Sequence, residues 1–543
     1  MDISFGHAPR PVPYGKTLAV IQAFQRRLDA LMATGSDLVS GGLRGIEKES
    51  LRVDDAGHLA QTPHPAGLGS ALTNHFVTTD FSEALLEFVT PASRSTWEAL
   101  RELCDVHQFT YGRLDDELLW PSSMPCRIPR DEEIPLARYG ESNIGRMKTI
   151  YRRGLGYRYG RAMQTIAGVH FNYSLPATFW PAYSDLLGDG RGEQEFRSDQ
   201  YLGLVRNFRR FGWLVLYLFG SSPALCKSFA PGRLAGMQSL NDETYYEPFG
   251  TSLRMSDLGY NNQTQAGIAI SLNNLDEYIR DLGDAIRTPE PAYQKIGVKV
   301  DGVYRQLSAN KLQIENEFYS PIRPKRVAKS GERPTAALRR GGIEYVEVRS
   351  LDINVFDPAG INQNTMRFME SFLIYCLLED SAPFDEAALD EVIRNQRDVA
   401  TRGRKPGLEL TAEGRRVRLA DWAREIIGRV VAVAEAIDNG DGGNSYRDAV
   451  HLMRSLVDDP DMTPSARMLH ELRQAACGFF DFTMEVARGH KRYFASIEPL
   501  PDARLREFET EAEASMERQR QVEASDDVDF DEFLARYFAA DRA

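Results

Sequence analysis

The stretch Arg44-Gly45-Ile46-Glu47-Lys48-Glu49-Ser50-Leu51-Arg52-Val53 restricts the fold more than any other. Read as a β-strand, its period of two sets Glu47, Glu49 and Leu51 on one face. Ile46, Lys48, Ser50 and Arg52 take the other face. Two neighbouring carboxylates repel each other, and are tolerated when solvated or when a cation lies between them. Taken alone, the stretch reads equally well as an exposed edge strand of mixed charge.

The device recurs. Gln313 to Tyr319 again sets two glutamates, Glu315 and Glu317, two apart. Tyr345 to Arg349 puts Glu347 and Arg349 opposite Val346 and Val348, and Gly168 to Tyr173 aligns His170 with Asn172 opposite Val169, Phe171 and Tyr173. The expectation is a sheet with one face on the core and the other forming a polar floor. Carboxylate oxygens with one imidazole suit Mg²⁺ or Mn²⁺ better than zinc. Several such ions beside an arginine are the equipment for handling nucleotide phosphates.

Asn74 to Pro91 leaves two readings open. Asp80, Glu83 and Glu87 fall on one helical face, while Leu85, Glu87 and Val89 fall on one side of a strand. Either way Glu87 sits inside the apolar run LLEFV, where a carboxylate is costly unless bonded. It is a functional group or half of a structural salt bridge. Ser320 to Arg326 reads as a rigid basic loop whose Arg323, Lys325 and Arg326 meet phosphate or simply face water. Tyr151-Arg152-Arg153 is an anion contact or a solvated helix face, and spacing alone favours the second.

The net charge of −13 argues against nucleic acid or an anionic membrane as the main partner. Five cysteines, Cys104, Cys126, Cys226, Cys376 and Cys477, lie far apart with no CxxC, so neither a thiolate zinc site nor a disulfide framework is indicated. Met1 to Lys16 lacks the basic start and apolar core of a secretory signal, and the apolar run Trp213 to Phe219 is too short to span a bilayer. A reducing cytoplasm is the expected compartment.

Residues 1–40 read as a loose arm followed by a helix over Leu18 to Leu31. Asp54 to Gly57 fits a hairpin turn. Ser95 to Glu98 is a capping box, opening a helix with Trp97, Leu100, Cys104, His107, Tyr111 and Leu114 along one face. Asp199 to Gly220 reads as one buried helix. From about residue 357 helical periodicity dominates, over Met366–Leu378, Asp385–Thr401, Leu419–Ala436, Arg467–Ala487 and Arg504–Ala524, with Asp438 to Asn444 as a glycine-rich connector. Residues 41–543 are expected to form a single catalytic domain whose C-terminal third supports or covers the rest. No GxxxxGK[ST], framed Rossmann glycine motif, GxSxG or HExxH is present. A nucleotide must then be held through metals and scattered basic groups, with Arg349 and Arg323 as candidates.

With these residues assembled, the chain resembles the glutamate–cysteine ligases of the proteobacterial type. The motifs that carry the likeness are RGIEKESLRV, TTDFSEALLEFVTP, WPSSMPC, MQTIAGVHFNYSLP, TSLRMSDLGY, QIENEFYSPIRPKR, GGIEYVEVRSLDIN and GRKPGLEL. The resemblance implies an α+β fold: a curved antiparallel β-sheet funnel with surrounding helices, similar to the glutamine synthetase catalytic fold. It implies ATP-dependent joining of L-glutamate, through its γ-carboxylate, to the amine of L-cysteine by way of a γ-glutamyl phosphate, the first step of glutathione synthesis. On that pattern Glu47, Glu49, Asp80, Glu87, His170 and Glu347 match the Mg²⁺ residues. Arg349 matches the arginine facing the transferred phosphoryl group, and Arg254 a glutamate-binding arginine. Phe81, Tyr151, Arg152, Gln164, Tyr260 and Tyr319 match the cysteine pocket. The implied partners are small molecules only, and the resemblance leans to a monomer. Two rival readings are a ligase of the same fold with a different amine, and a binding protein with a relict site. The tyrosine set favours cysteine against the first, and the full set of metal-type residues counts against the second.

Overall fold

Apolar alternation in stretches far apart in the chain builds one sheet. The computed structural model describes residues 18–229, 236–259, 267–329 and 331–539. Seven strands, β1 (Leu43–Val53), β2 (Val77–Thr79), β3 (Leu85–Val89), β4 (Leu118–Leu119), β5 (Val169–Ser174), β6 (Ile322–Lys325) and β7 (Tyr345–Leu351), pair in the order β6-β7-β5-β1-β3-β2, with β4 beside the end of β1. Every pairing is antiparallel. The open question over Asn74 to Pro91 resolves as strands. Leu85, Leu86 and Phe88 are fully buried, and β-pairing satisfies the backbone that a helix would have satisfied alone.

Ile46, Phe88, Phe171, Val346 and Val348 turn from the polar face into a continuous core, backed by helices Thr96–Tyr111, Glu193–Phe211 and Gln363–Leu378. Two cations of β1 go with them. Lys48 hydrogen-bonds Ser50 Oγ and lies 3.1 Å from His107 Nε2, and burial lowers its pKa to about 7. Arg44 meets Glu370 at 2.6 Å, and Tyr446 Oη donates to the same carboxylate at 2.8 Å. Helix Leu18–Thr34 buries Phe24, Leu28 and Leu31, with Phe24 edge-on to Tyr375. Among the described residues no helix is long and apolar enough to cross a membrane.

Several expectations are corrected. Gln313–Tyr319 is not a strand: Glu315–Glu317 is a 3₁₀ turn, on which residues two apart point to different sides. Glu315 is bound by Arg333 and by Thr335 Oγ1, and Glu317 by Arg158, Tyr159 Oη and the Gln313 amide, so both are structural anchors. The basic segment after it is not a loop but the edge strand β6, where Pro324 needs no donor. Ser95 caps the helix as expected, its Oγ accepting from the Glu98 N–H, while the return bond from the Glu98 side chain that would complete a capping box is not formed among the described residues. Its helix, however, buries Ala99, Leu103, Val106 and Thr110, and Trp97 is 58% exposed.

The long apolar helix breaks at Gly212 into Glu193–Phe211 and Trp213–Phe219. Arg467–Ala487 splits into Pro464–Gln474 and Phe479–Ser496 around Ala476, which takes a positive φ of 49°. Helix Leu419–Asp441 runs into the connector, and helix Ser445–Asp458 was not foreseen. Nor was the hairpin Glu409–Ala412/Arg415–Arg418, whose turn residues Glu413 and Gly414 both have positive φ. Cys126 and Cys226 form a disulfide, which a separation of 100 residues gave no means of foreseeing.

The Arg44–Glu370 pair is fully buried beneath the sheet, so Glu370→Gln leaves a guanidinium without its counter-charge. The variant is expected to lose about 3–5 kcal/mol of stability in urea titration. The folded fraction should keep its KM values, because the pair lies on the face away from the acidic cluster.

Candidate active site

Strand register converts the polar alternation into a cluster. Glu47 lies opposite His170, Glu49 opposite Glu87, and Glu347 opposite both Asn172 and Arg323. His170 occupies the centre. Its Nδ1 is 2.9 Å from Glu47 Oε2 and 3.8 Å from Glu347 Oε1, and its Nε2 is 3.7 Å from Glu49 Oε1. Asn172 Nδ2 donates to Glu47 Oε1 at 2.9 Å. The Gly168 amide donates to Glu49 Oε2 at 2.6 Å. A Cβ at Gly168 would overlap the guanidinium of Arg254, so any other residue there would displace it.

The basic groups divide by place. Arg349 Nη1 donates to Glu347 Oε1 at 3.1 Å, and Lys325 Nζ lies 3.7 Å from Glu347 Oε2. Arg254 donates to the Arg349 carbonyl at 2.9 Å and lies 3.9 Å from Asp352. Asp352 is itself fixed by the Ser221 amide and the hydroxyls of Ser222 and Ser252. Tyr319 Oη reaches Met255 Sδ, which Arg254 Nη1 also approaches.

These charges act on one another. Burial raises the pKa of Glu87 well above the ordinary carboxylate value, and Glu47, Asp80 and Glu49 push it further. Burial and Asp80 likewise raise Glu49. For Glu347 burial is overcome by Lys325, Arg349, His170 and Arg323, and its pKa falls far below the usual range. For Glu47 burial is overcome chiefly by its hydrogen bond with His170, and its pKa falls. Among the described residues Glu87 makes no ion pair or side-chain hydrogen bond. Buried Glu347 Oε2 and Asn172 Oδ1 have no hydrogen-bond donor. Glu47, Glu87 and His170 bring ligand atoms within 4.8 Å of one another.

The structure thus gathers Glu47, Glu49, Asp80, Glu87, His170, Glu347, Arg349, Arg254, Arg323 and Tyr319 within electrostatic reach of one another. Tyr151 joins their rim through Arg323, Arg152 and Asp80. Arg152 Nε donates to the Asp80 carbonyl, so it is packed against the site and is not a solvated face. Phe81 is 1% exposed in the core next to Asp80. Gln164 sits on the turn Ala162–Thr165, just before Gly168, with no side-chain hydrogen bond to the cluster. Tyr260 lies outside the described residues. The sequence reading passed over Gly168 and Asp352 as site groups, left Lys325 between phosphate and solvent, and placed Asn172 on the polar face without a role. Asn172 carried the clearest signal, being two residues from His170 on the same face.

An antiparallel sheet backed by helices, with an oxygen-rich acidic face ringed by arginines, defines the chain as an α+β ligase of the type that activates a carboxylate with ATP. A family model described as glutamate-cysteine ligase matches residues 28–399. A glutamate–cysteine ligase of Alcanivorax borkumensis is 49% identical over 520 residues, covering 95% of this chain and 99% of that protein. One of Pseudomonas putida is 47% identical over 515 residues, covering 95% and 98%. The crystal structure of the Francisella tularensis glutamate–cysteine ligase, in complex with AMP, superposes with a TM-score of 0.87 at 37% identity, covering 93% of this chain and 98% of that one. The chain belongs to the glutamate–cysteine ligase family. Its reaction is the ATP-dependent joining of L-glutamate to L-cysteine that opens glutathione synthesis.

Removing the unpaired acid should stabilise the protein. A carboxyl whose folded pKa is raised costs stability above its unfolded value of 4.5, and the cost grows as pH rises toward the folded value. Without divalent ions, Glu87→Gln is expected to be more stable than the parent by at least about 1.4 kcal/mol, the equivalent of one pKa unit, at pH 8. The difference should shrink toward pH 4. Denaturant melts at the two pH values check this.

Proposed function

We propose that Glu47, Glu49, Asp80, Glu87, His170 and Glu347 hold Mg²⁺, with Mn²⁺ able to take its place. The observation that carries this reading is the concentration of carboxylates with too few protein cations: Glu87 is unpaired and two buried acceptors lack donors. An oxygen-rich set with a single imidazole fits hard divalent ions. When bound, the ions neutralise the triphosphate charge of ATP.

The chain's own residues do the rest. Arg254, anchored by Asp352 and the Arg349 carbonyl, takes the α-carboxylate of glutamate and leaves the γ-carboxylate free to attack the terminal phosphorus. The γ-oxygen–phosphorus bond forms as the bond to ADP breaks. Arg349, oriented by Glu347, and Arg323 on β6 face the charge that builds on the phosphoryl oxygens. The resulting γ-glutamyl phosphate meets the amine of cysteine, whose attack expels phosphate. Tyr151, Arg152, Tyr319, Phe81, Gln164 and Tyr260 form the pocket for cysteine, with aromatic walls suited to a small thiol and to excluding water from the acyl phosphate.

Residues 41–543 act in this reading as one catalytic unit, with residues 1–40 an extension. The enzyme works as a monomer on small molecules, without nucleic acid, in the cytoplasm where ATP is supplied. The acidic net charge of −13 fits this set of partners.

ADP formation with ATP, Mg²⁺ and L-glutamate is expected to depend on L-cysteine, with γ-glutamylcysteine as the product detected by mass. Glu47→Gln should cut kcat by at least about 100-fold while leaving the melting temperature near that of the parent. A Glu47→Gln enzyme of unchanged activity would remove Glu47 from the metal set.

A further inference from the structure

The helix Asn143–Tyr159 carries two cations on one face that make no ion pair among the described residues, with Glu87 of the acidic cluster acting on Lys148 only at a distance. Its start is fixed by Ser142, whose Oγ accepts from Gly145 N–H. Its outer side packs on the C-terminal helix, with Arg146 over the Phe530 ring at 4.6 Å. Lys148 and Arg152 are four residues apart and therefore lie one above the other. Both stand over the same aromatic ring: Lys148 Nζ is 5.1 Å and Arg152 Cζ 4.6 Å from the centre of Tyr139. Tyr139 Oη in turn donates to the carbonyls of Thr79, at 2.6 Å, and Asp80, at 3.0 Å. The ring thus pins both cations beside the segment that delivers Asp80.

Like charges four apart on a helix repel, and a half-buried ammonium with no ion pair is unfavourable. The expected remedy is a carboxylate partner, yet neither residue has one. Arg152 directs its Nε to the backbone carbonyl of Asp80 and its Nη1 to that of Lys148, two of the guanidinium's three nitrogens. Lys148 Nζ makes no hydrogen bond or ion pair among the described residues. Burial and Arg152 hold its pKa down to about 8, against the pull of Glu87. A cation kept in this state beside a substrate pocket is arranged for an anion that arrives with the substrate.

We infer that Lys148, together with Arg152, binds the α-carboxylate of the amine substrate and so sets the preference for an α-amino acid over a simple amine. The inference rests on the assignment of Arg152 to the cysteine pocket. Phosphate is the poorer match, because Arg323, Lys325 and Arg349 already gather around Glu347, at the other end of the strand order from β2 and β3. The amine that attacks the acyl phosphate is one carbon from this carboxylate. Fixing the carboxylate therefore fixes the direction of the nucleophile.

The test compares L-cysteine with cysteamine, which has the same thiol and amine but no carboxylate, at saturating ATP and L-glutamate. The parent enzyme should have a much lower KM for cysteine. Lys148→Met should raise the KM for cysteine by about tenfold or more, leave the KM for cysteamine, glutamate and ATP unchanged, and so narrow the discrimination. Lys148→Arg should restore most of it. An equal rise for both amines, a rise for ATP, or no change in Lys148→Met would overturn the role of Lys148. A parent enzyme indifferent to the carboxylate would overturn it together with the pocket reading, whereas loss of discrimination in Arg152→Met alone would overturn only Lys148.

Discussion

Glu47 and His170 face each other across β1 and β5, and the 2.9 Å contact between them fixes the geometry on which the site depends. A slip of one residue in that pairing would turn Glu47 and Glu49 into the core and bring Ile46 and Lys48 to the surface of the acidic face. The opposite face of β1 guards against the slip. Arg44 meets Glu370, and Ile46 is fully buried, so the wrong register would expose an apolar side chain and strand buried charges. The helices that carry Glu370 and Tyr446 come from the C-terminal third, which among the described residues sends no side chain into the acidic cluster. Through the Arg44–Glu370–Tyr446 contacts they hold β1 in register.

The acidic face is built against its own stability. Glu49 and Glu87 sit directly opposite each other, and both are harder to ionise than ordinary carboxylates because of burial and the nearby Asp80, with Glu47 and Glu49 adding to the effect on Glu87. Glu347 is the reverse case, surrounded by Lys325, Arg349, His170 and Arg323. The cluster therefore grades from a charge-compensated side at β6 and β7 to an uncompensated side at β2 and β3. Such a gradient suits a reaction in which triphosphate charge and cations meet at one place while two amino acids are presented to it.

Much of this was legible in the sequence. Period-two alternation in RGIEKESLRV, GVHFNYS and YVEVRS identified three strands and their polar faces, and β-pairing then brought those faces together. The same rule misled at QIENEFY. Alternation does not tell a strand from a 3₁₀ turn, and Arg158, Arg333 and Thr335, which claim its glutamates, lie far off in sequence or on another element. Spacing assigned Arg152 to solvent, because nothing local marks the Asp80 carbonyl it bonds. The Cys126–Cys226 bond was equally invisible, being a matter of tertiary proximity alone. Lys148 was missed because a lysine in a mixed helix carries no signal until its lack of an anion is seen in space.

The central claim is that this face of the sheet is a receptacle for divalent cations. Crystals of the enzyme grown with Mn²⁺ and a nonhydrolysable ATP analogue, measured for manganese anomalous scattering, test it most directly. The account predicts peaks within about 2.0–2.2 Å of carboxylate oxygens of Glu47, Glu87 and Glu347 or of a His170 nitrogen. Manganese bound elsewhere while this cluster stays empty, with the analogue in place, would contradict it.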